Sequence, residues 1–202
     1  MPFAIAIDGP SGAGKSTLAR IIAKNLQFVY VDTGALYRAI GHSMLSRHID
    51  IEDDAKVAAG LDGLTVSIAY VDDEQRVIVN GVDVSDNIRT PQVSMAASRV
   101  SAVPEVRRFL MNTQRDIAKS QSVVMDGRDI GTTILPDADL KIYLTATPEA
   151  RAQRRLLDLQ AKGIASTFEA VLEDMRQRDY NDSHRAAAPL KQAEDAIFID
   201  NS

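Results

Sequence analysis

The feature that most constrains this chain is a glycine-rich loop near its N-terminus. Residues 9–16 read Gly-Pro-Ser-Gly-Ala-Gly-Lys-Ser, which matches the phosphate-loop pattern G-x-x-x-x-G-K-[ST]. An apolar run with strand character precedes the loop at residues 3–7, and an amphipathic helical pattern follows it at residues 16–26. The chain is therefore predicted to begin with a strand, a phosphate-binding loop and a helix, in the order that such a loop requires.

The residue types of this loop suit the phosphates of a nucleoside triphosphate. Glycines have no Cβ, so the backbone can curl and direct its N–H groups inward, and the helix N-terminus adds partial positive charge. Lys15 can reach the β- and γ-phosphates, and the Ser16 hydroxyl can ligate Mg²⁺. The alternative is a glycine-rich turn before an ordinary helix. The predicted nucleotide-binding residues are Gly9, Pro10, Ser11, Gly12, Ala13, Gly14, Lys15, Ser16 and Thr17.

Strand and helix patterns alternate along the rest of the chain. The predicted core strands cover residues 3–7, 28–32, 122–126, 140–144 and 196–200. The predicted helices cover residues 16–26, 33–47, 53–61, 103–119, 147–161 and 167–180, with one more beginning at 90–91. Thr33 is the predicted N-cap of the helix after the second strand. This alternation predicts an α/β fold with a five-stranded, mainly parallel sheet flanked by helices, whose ligands bind at the carboxyl ends of the strands.

One segment departs from this alternation. Residues 64–71 alternate apolar and polar with period two, residues 72–75 are a predicted turn, and a second strand returns from Arg76. Asn80 and Gly81 form a typical hairpin turn. We therefore expect a small antiparallel insert over about residues 63–86.

Acidic residues close several of the predicted core strands. Asp8, Asp32 and Asp126 each end such a strand, and the ends of parallel strands meet at one edge of the sheet. The apolar run before Asp126 is typical of the segment that holds Mg²⁺ in phosphate-loop enzymes, directly or through a water molecule. The alternative is that these carboxylates only cap turns. Ser16 and Asp126 are the predicted metal-binding residues.

Composition narrows the classes of function. The net charge of −5 does not favour bulk binding of nucleic acid or of a membrane surface, and the absence of cysteine excludes disulfides and thiolate metal sites. Without a signal peptide or a long apolar run, a cytoplasmic protein is expected. Sixteen of the 23 basic residues are arginine, and eleven of these lie within residues 99–185. Because arginine is well suited to bidentate phosphate contacts, this distribution indicates a phosphate-binding cleft.

The helix at residues 147–161 favours a kinase over a nucleotide switch. Arg151, Arg154 and Arg155 share a helix face by their spacing, and they could close over a transferring phosphoryl group. A solvated basic face is the alternative. The chain has no Asn-Lys-x-Asp segment of the kind that GTPases use to read guanine.

Four segments together carry a family resemblance. They are residues 7–17, residues 32–38, residues 126–132 with the sequence Asp-Gly-Arg-Asp-Ile-Gly-Thr, and residues 178–190. In this order, and with the insert, they resemble the bacterial cytidylate kinases, which are (d)CMP kinases in the nucleoside monophosphate kinase group of phosphate-loop kinases. The resemblance runs from residue 3 to about residue 200. Ser16 is a departure, because many members have glycine there.

The resemblance implies a reaction and a set of site residues. The reaction is transfer of the γ-phosphoryl group of ATP to CMP or dCMP with Mg²⁺, in pyrimidine nucleotide metabolism. The implied cytosine-reading residues are Ser98, Arg107 and Asp129, and the implied phosphate-binding residues are Arg38, Arg128 and Arg185. Arg178 and Asp182 would contact the ribose, and Asp32, Thr33 and Tyr37 would line the same pocket. The predicted catalytic residues are Lys15, Arg128, Arg151, Arg154 and Arg155.

The resemblance also implies an organisation within one kinase domain, residues 1–202. The core would comprise about residues 1–32, 120–147 and 183–202, the NMP-binding region residues 33–119, and the lid residues 148–165. We expect a monomer that binds neither nucleic acid nor membrane. Three alternatives stay open: a kinase for UMP, AMP or a small metabolite, a nucleotide switch or ATPase, and a binding protein without turnover.

Overall fold

The computed structural model of the protein describes residues 1–72 and 74–202. Helices and strands alternate along it, with a small all-β segment after the third α-helix. The strands are β1 Ala4–Asp8, β2 Val29–Asp32, β3 Val66–Val71, β4 Glu74–Val79, β5 Val82–Asp83, β6 Val123–Gly127, β7 Leu140–Thr145 and β8 Ile197–Asp200. The α-helices are α1 Lys15–Leu26, α2 Thr33–Ser46, α3 Asp54–Ala59, α4 Pro91–Val100, α5 Pro104–Ser120, α6 Pro148–Ala161 and α7 Phe168–His184.

Five strands form one sheet in the order β2-β6-β1-β7-β8, and every neighbouring pair is parallel. This confirms the predicted α/β fold. A parallel sheet is covered on both faces, because the crossover helices pack on each side. Ile5 and Val124 accordingly pack into a cluster with α1 on one face, while Ala6 and Met125 belong to a second cluster on the other.

The strand-end carboxylates meet at one edge of this sheet, as predicted. Asp8 is in register with Gly127, and Asp32 is in register with Asp126. The register therefore brings the ends of β1, β2 and β6 to a common level, where the loops that follow them can contribute to one site.

The second sheet, β3-β4-β5, confirms the antiparallel insert. Asn80 and Gly81 have φ values of 48° and 81°, and they join β4 to β5 as the predicted two-residue hairpin turn. The predicted turn over residues 72–75 is too long, since β4 already begins at Glu74, and its residue 73 lies outside the described residues. The inner face of the insert, with Val77, packs into an apolar cluster with α2.

The N-terminus of α2 differs from the prediction. The assignment of Thr33 as the N-cap is wrong, because the Asp32 carboxylate accepts a hydrogen bond from the Ala35 N–H at 3.0 Å. Thr33 is the first helical residue, and its hydroxyl donates to the Asp126 carbonyl oxygen at 2.8 Å. Aspartate ranks above threonine as an N-cap, so the local preference already favours Asp32. The contact of Thr33 with β6 agrees with this preference.

Helices α6 and α7 form a hairpin with an apolar cluster of its own. Gly163 has a left-handed conformation, with φ of 70°, at the predicted end of α6. Its flanking residue Ile164 donates its N–H to the Leu159 carbonyl oxygen at 2.9 Å. Within residues 1–72 and 74–202, no helix is long and apolar enough to cross a membrane.

Candidate active site

The carboxyl edge of the parallel sheet opens into a cavity of about 700 Å³. Its walls come from the phosphate loop, from α2, α4 and α5, from the segment after β6, and from the α6–α7 hairpin. Almost all of the site residues selected from the sequence line this cavity. The exceptions are Gly9, Pro10, Ala13 and Arg151.

The phosphate loop joins β1 to α1 in the predicted way. Gly14 is the N-cap of α1 with φ of 97°. A Cβ on Gly9 would lie 1.9 Å from the Leu144 carbonyl oxygen, so the loop packs against β7 too closely for any other residue type. The N-cap Gly14 makes no side-chain capping hydrogen bond, and none is made to this helix N-terminus elsewhere in the described part of the chain. The first N–H groups of this helix are therefore available to an anion such as a phosphate.

Lys15 is a buried cation in the first turn of α1. Its ammonium group donates to the Pro10 carbonyl oxygen at 2.7 Å. Burial, and next the neighbouring Arg128 guanidinium, lower the pKa of Lys15 to about 7. Phosphate oxygens beside this ammonium group would raise the pKa again, because negative charge favours the protonated form.

Asp126 is held by two hydroxyl groups at the end of β6. Ser16 donates to its Oδ2 at 2.7 Å, and Tyr30 donates to its Oδ1 at 3.1 Å. Burial, and next the Asp32 carboxylate, raise the pKa of Asp126 to about 6. A hydroxyl and a carboxylate are the hard oxygen donors that Mg²⁺ prefers, and a cation here would offset the burial of the carboxylate. These residues fit a Mg²⁺ ion; the contribution of Tyr30 was missed from the sequence.

Two of the arginines that the resemblance assigns to a phosphate are fixed by carboxylates. Arg38 donates to Asp32 at 2.7 Å, and Arg128 donates to Asp182 at 2.8 Å. The Nε of Arg38 is buried and has no hydrogen-bond partner among the described residues. A guanidinium has five N–H donors in one plane, so one edge can stay on the carboxylate while another edge meets a phosphate. Asp182, which the resemblance assigns to the ribose, is thus also the partner of Arg128.

A third carboxylate lies between two arginines at the buried end of the cavity. Asp129 accepts a hydrogen bond from Arg107 through Oδ2 and from Arg185 through Oδ1, the latter at 3.2 Å. The three side chains are no more than 6% exposed. Burial, and next the neighbouring Arg107, lower the pKa of Arg185. The structure therefore joins Arg185, which the resemblance assigns to the phosphate, to the carboxylate assigned to the base.

Two neutral groups at the same end have no hydrogen-bond partner within the described part of the chain. They are the Tyr37 hydroxyl and the Gln114 Oε1 atom. Gln114 is fully buried, lines the cavity and was missed from the sequence. Its spacing held a signal, because it lies two helical turns after Arg107 on the same face of α5. Since buried polar atoms without partners are costly, either a polar ligand or a small shift that pairs Tyr37 with Gln114 would satisfy them.

The three arginines of α6 have different environments. Arg154 and Arg155 line the cavity, whereas Arg151 does not. Arg151 is 2% exposed, and it donates to the two carboxylate oxygens of Asp179 at 3.0 and 2.6 Å and to the Ser11 carbonyl oxygen at 3.1 Å. It ties α6 to α7 and to the phosphate loop. The predicted contact of Arg151 with the transferring phosphoryl group therefore has no support in this geometry.

The remaining predicted residues reach the cavity from three elements. Ser98 lines it from α4 and Thr33 from the start of α2. Arg178 lines it from α7, where it pairs with Asp174 at 3.1 Å and leaves its Nε without a partner among the described residues. Residues that lie far apart in the chain thus line the same cavity.

Asp8 has a different position from the other two strand-end carboxylates. It does not line the cavity. Its two oxygens accept hydrogen bonds from the Ile130 and Gly131 N–H groups at 2.8 and 2.7 Å, at the start of a π-helical turn, Ile130–Ile134, that the sequence does not predict. Burial raises the pKa of Asp8 to about 6 although these N–H groups act in the opposite direction. Asp8 therefore fixes the segment that carries Asp129.

The phosphate loop lies at the edge of a parallel sheet, and carboxylate-held arginines face it across one cavity. This arrangement defines a phosphate-loop kinase of small phosphorylated substrates. The comparisons with known proteins specify the family. The family model described as cytidylate kinase matches residues 5–202. The chain belongs to the cytidylate kinase family.

Individual relatives agree with this assignment. The cytidylate kinase of Caldicellulosiruptor saccharolyticus is 50% identical over 198 residues, which cover 98% of this chain and 88% of the relative. The cytidylate kinase of Lactobacillus gasseri is 48% identical, with coverage of 98% and 86%. That of Carboxydothermus hydrogenoformans is 48% identical, with coverage of 98% and 89%.

Proposed function

We propose that the protein transfers the γ-phosphoryl group of ATP to CMP or dCMP, giving ADP and CDP or dCDP. As a member of the cytidylate kinase family, it is an ATP-dependent phosphotransferase of pyrimidine nucleotide metabolism. One observation carries the assignment of its site: the phosphate loop and the carboxylate-held arginines line the same cavity. Such a cavity suits two phosphorylated ligands that meet end to end.

The donor end of the cavity, defined as residues 9–17 with Arg154 and Arg155, would bind ATP. The loop N–H groups and the α1 N-terminus would hold the phosphates, and Lys15 would neutralise charge that develops on the transferring group. Arg154 and Arg155 would approach the same group from α6. No general base is required, because the acceptor atom is already a phosphate oxygen, and positioning and charge neutralisation supply most of the catalysis.

The acceptor end would bind CMP. It is defined as the residues that face the donor end: Asp32, Thr33, Tyr37, Arg38, Ser98, Arg107, Arg128, Asp129, Arg178, Asp182 and Arg185. Arg38, Arg128 and Arg185 would hold the phosphate, and Arg178 and Asp182 the ribose.

The buried end beyond these groups would read the base. Cytosine has an N4 amine that can donate to Asp129 and Ser98, and it has N3 and O2 acceptors for Arg107. Uracil presents O4 instead of an amine, which leaves an acceptor unpaired. An unpaired buried acceptor costs about 1–3 kcal/mol, or roughly one to two decades in selectivity.

A divalent cation belongs to this proposal. Ser16 would hold Mg²⁺ directly, and Asp126 would hold it directly or through a water molecule, in line with the oxygen donors that these side chains bring together. When bound, the ion neutralises negative charge on the donor phosphates. The residues themselves bind and orient the donor: Ser16 is fixed by Asp126, which is in turn fixed by Tyr30.

The proposed function also divides the chain into a core, an NMP-binding region and a lid. The core would be about residues 1–32, 120–147 and 183–202, the NMP-binding region residues 33–119 with the insert at about 63–86, and the lid residues 148–165. Closure of the lid would exclude water, which a kinase needs in order not to hydrolyse ATP. We further propose that the protein is a cytoplasmic monomer that acts on nucleotides and binds neither nucleic acid nor membranes.

A panel of acceptors tests the proposal. Steady-state ADP release is measured with CMP, dCMP, UMP, AMP and GMP as acceptors. CMP and dCMP are expected to give the highest kcat/KM. Equal or faster turnover with UMP or AMP would contradict the cytosine assignment, and ATP hydrolysis that no nucleoside monophosphate changes would indicate an ATPase.

A further inference from the structure

Within the described residues, the β2 edge of the parallel sheet is hydrogen-bonded by side chains of the insert and not by another strand. β2 is one of the two edge strands, so the backbone groups of alternate residues on its outer side lack a neighbouring strand. Gln75 of the insert fills this place at Asp32: its Oε1 accepts from the Asp32 N–H at 2.7 Å, and its Nε2 donates to the Asp32 carbonyl oxygen at 3.1 Å. A side-chain amide thus reproduces the two hydrogen bonds that another strand would make.

A second contact follows the same period of two. The Tyr70 hydroxyl of the insert donates to the Tyr30 carbonyl oxygen at 3.0 Å. Tyr30 and Asp32 are two residues apart on β2, so their backbone groups face the same side. The insert is therefore held to the sheet edge through side chains at two successive positions of one strand.

The contact at Asp32 lies next to the acceptor end. The Asp32 carboxylate caps α2 through the Ala35 N–H and also accepts a hydrogen bond from Arg38 at 2.7 Å. Arg38 lines the cavity and has a buried Nε without a partner among the described residues. The backbone of one residue is thus bonded to the insert, while its side chain orients an arginine that faces the cavity.

We propose that Gln75 is a positioning residue for the acceptor phosphate: by pairing with the Asp32 backbone, it fixes the carboxylate that orients Arg38. This rests on the proposed function, because it takes the phosphate of CMP as the ligand of Arg38. Gln75 does not line the cavity, so it acts only through Asp32. Its effect is confined to the phosphate and does not extend to the base or to ATP.

The test compares two ligands that differ only in the phosphate. Gln75→Met keeps the side-chain volume and removes both hydrogen bonds. The dissociation constants of CMP and of cytidine, and the KM values for CMP and ATP, are measured for this variant and for wild type. CMP binding is expected to weaken about five- to tenfold, while cytidine binding and the KM for ATP stay unchanged.

Tyr70→Phe is the matched control, because it removes the hydrogen bond from the insert to the Tyr30 carbonyl oxygen and leaves the Asp32 backbone paired. It is expected to leave the ratio of CMP to cytidine affinity at the wild-type value. An equal loss of CMP and cytidine affinity in Gln75→Met, or the same phosphate-specific loss in Tyr70→Phe, would overturn the proposal. So would an unchanged CMP affinity in a folded Gln75→Met protein.

A double-mutant cycle tests the route through Arg38. Arg38→Lys is expected to weaken CMP binding less in the Gln75→Met protein than in wild type, because the arginine is no longer oriented there. Additive effects would contradict the proposal. The function itself is tested separately, since a wild-type protein that does not phosphorylate CMP would refute the proposed function whatever the variants do.

Discussion

The donor end and the acceptor end of the cavity are built differently. At the donor end, one continuous stretch, residues 9–17, supplies backbone N–H groups, one lysine and three hydroxyl groups. At the acceptor end, the arginines come from α2, α5, the segment after β6, α7 and the C-cap of α7. All five are paired with carboxylates, in the pairs Arg38–Asp32, Arg107–Asp129, Arg128–Asp182, Arg178–Asp174 and Arg185–Asp129.

The difference has a physical cause. A backbone loop has few soft dihedral angles, so glycines in left-handed conformations are enough to preorganise it. Long arginine side chains are mobile and repel one another, so their positions depend on ion pairs with fixed carboxylates. A phosphate bound at the acceptor end would therefore share guanidinium groups with aspartates, whereas one bound at the donor end would meet N–H groups that no side chain caps among residues 1–72 and 74–202.

The largest expected effect separates the two ends. Lys15→Ala removes the buried ammonium group of the donor end, and kcat is expected to fall by about 10²–10³, since the charge that it stabilises develops in the transition state. The CMP dissociation constant, measured by calorimetry, is expected to stay unchanged. Lys24→Ala, an exposed change on the same helix, is the control. Loss of CMP affinity that matches the loss of rate would show that the two ends are not independent.

Arg151 tests whether an arginine next to the donor end acts through structure alone, because it joins α6 to α7 and to the phosphate loop. Arg151→Met leaves Asp179 without its partner and is expected to lower the free energy of unfolding by about 3 kcal/mol, measured by urea denaturation. Arg176→Met is the matched control: its pair with Glu149 joins the same two helices at an exposed position, and its loss is expected to cost less than about 1 kcal/mol. Similar losses in both variants would contradict the buried role of Arg151.

Arg107→Met tests the base-reading part of the acceptor end. The kcat/KM for CMP is expected to fall about a hundredfold and the preference for CMP over UMP about tenfold, since donors to N3 and O2 are lost. The KM for ATP is expected to change little. The neighbouring Arg108→Met, at an exposed position of α5, is the control. An unchanged CMP/UMP ratio in Arg107→Met would remove Arg107 from the cytosine-reading residues.

The smallest expected effect concerns Asp8, which links the two ends. Its pKa is raised to about 6 in the folded protein, so between about pH 4 and pH 6 the native state binds more protons than the unfolded state. This contribution to stability falls as the pH rises, by about 2 kcal/mol over that range. Asp8→Asn is expected to remove it, which urea denaturation at several pH values would detect as a difference in slope. Equal slopes in both proteins would contradict the raised pKa.

Much of the fold follows from local pattern. The phosphate loop, the core strands, the Asn80-Gly81 hairpin turn and the end of α6 at Gly163 were all predicted, because each depends on residues that are neighbours in the chain. Less of the candidate site could be predicted from the sequence. Local pattern does not distinguish Gln114 from other polar residues of a helix, or Tyr30 from other residues of a strand. Their roles depend on the fold, which brings Gln114 to the cavity with Arg107 and brings Tyr30 to Asp126.

The sequence by itself determined the phosphate loop of the donor end, since strand, glycines, lysine and helix are consecutive and their chemistry depends on backbone conformation. Only the tertiary structure decided how the arginines are used. Arg151 and Arg154 have similar positions in the helical pattern, yet Arg151 is buried against Asp179 while Arg154 faces the cavity. The physical reason is that a charged side chain takes its role from the carboxylates around it, and these come from distant parts of the chain.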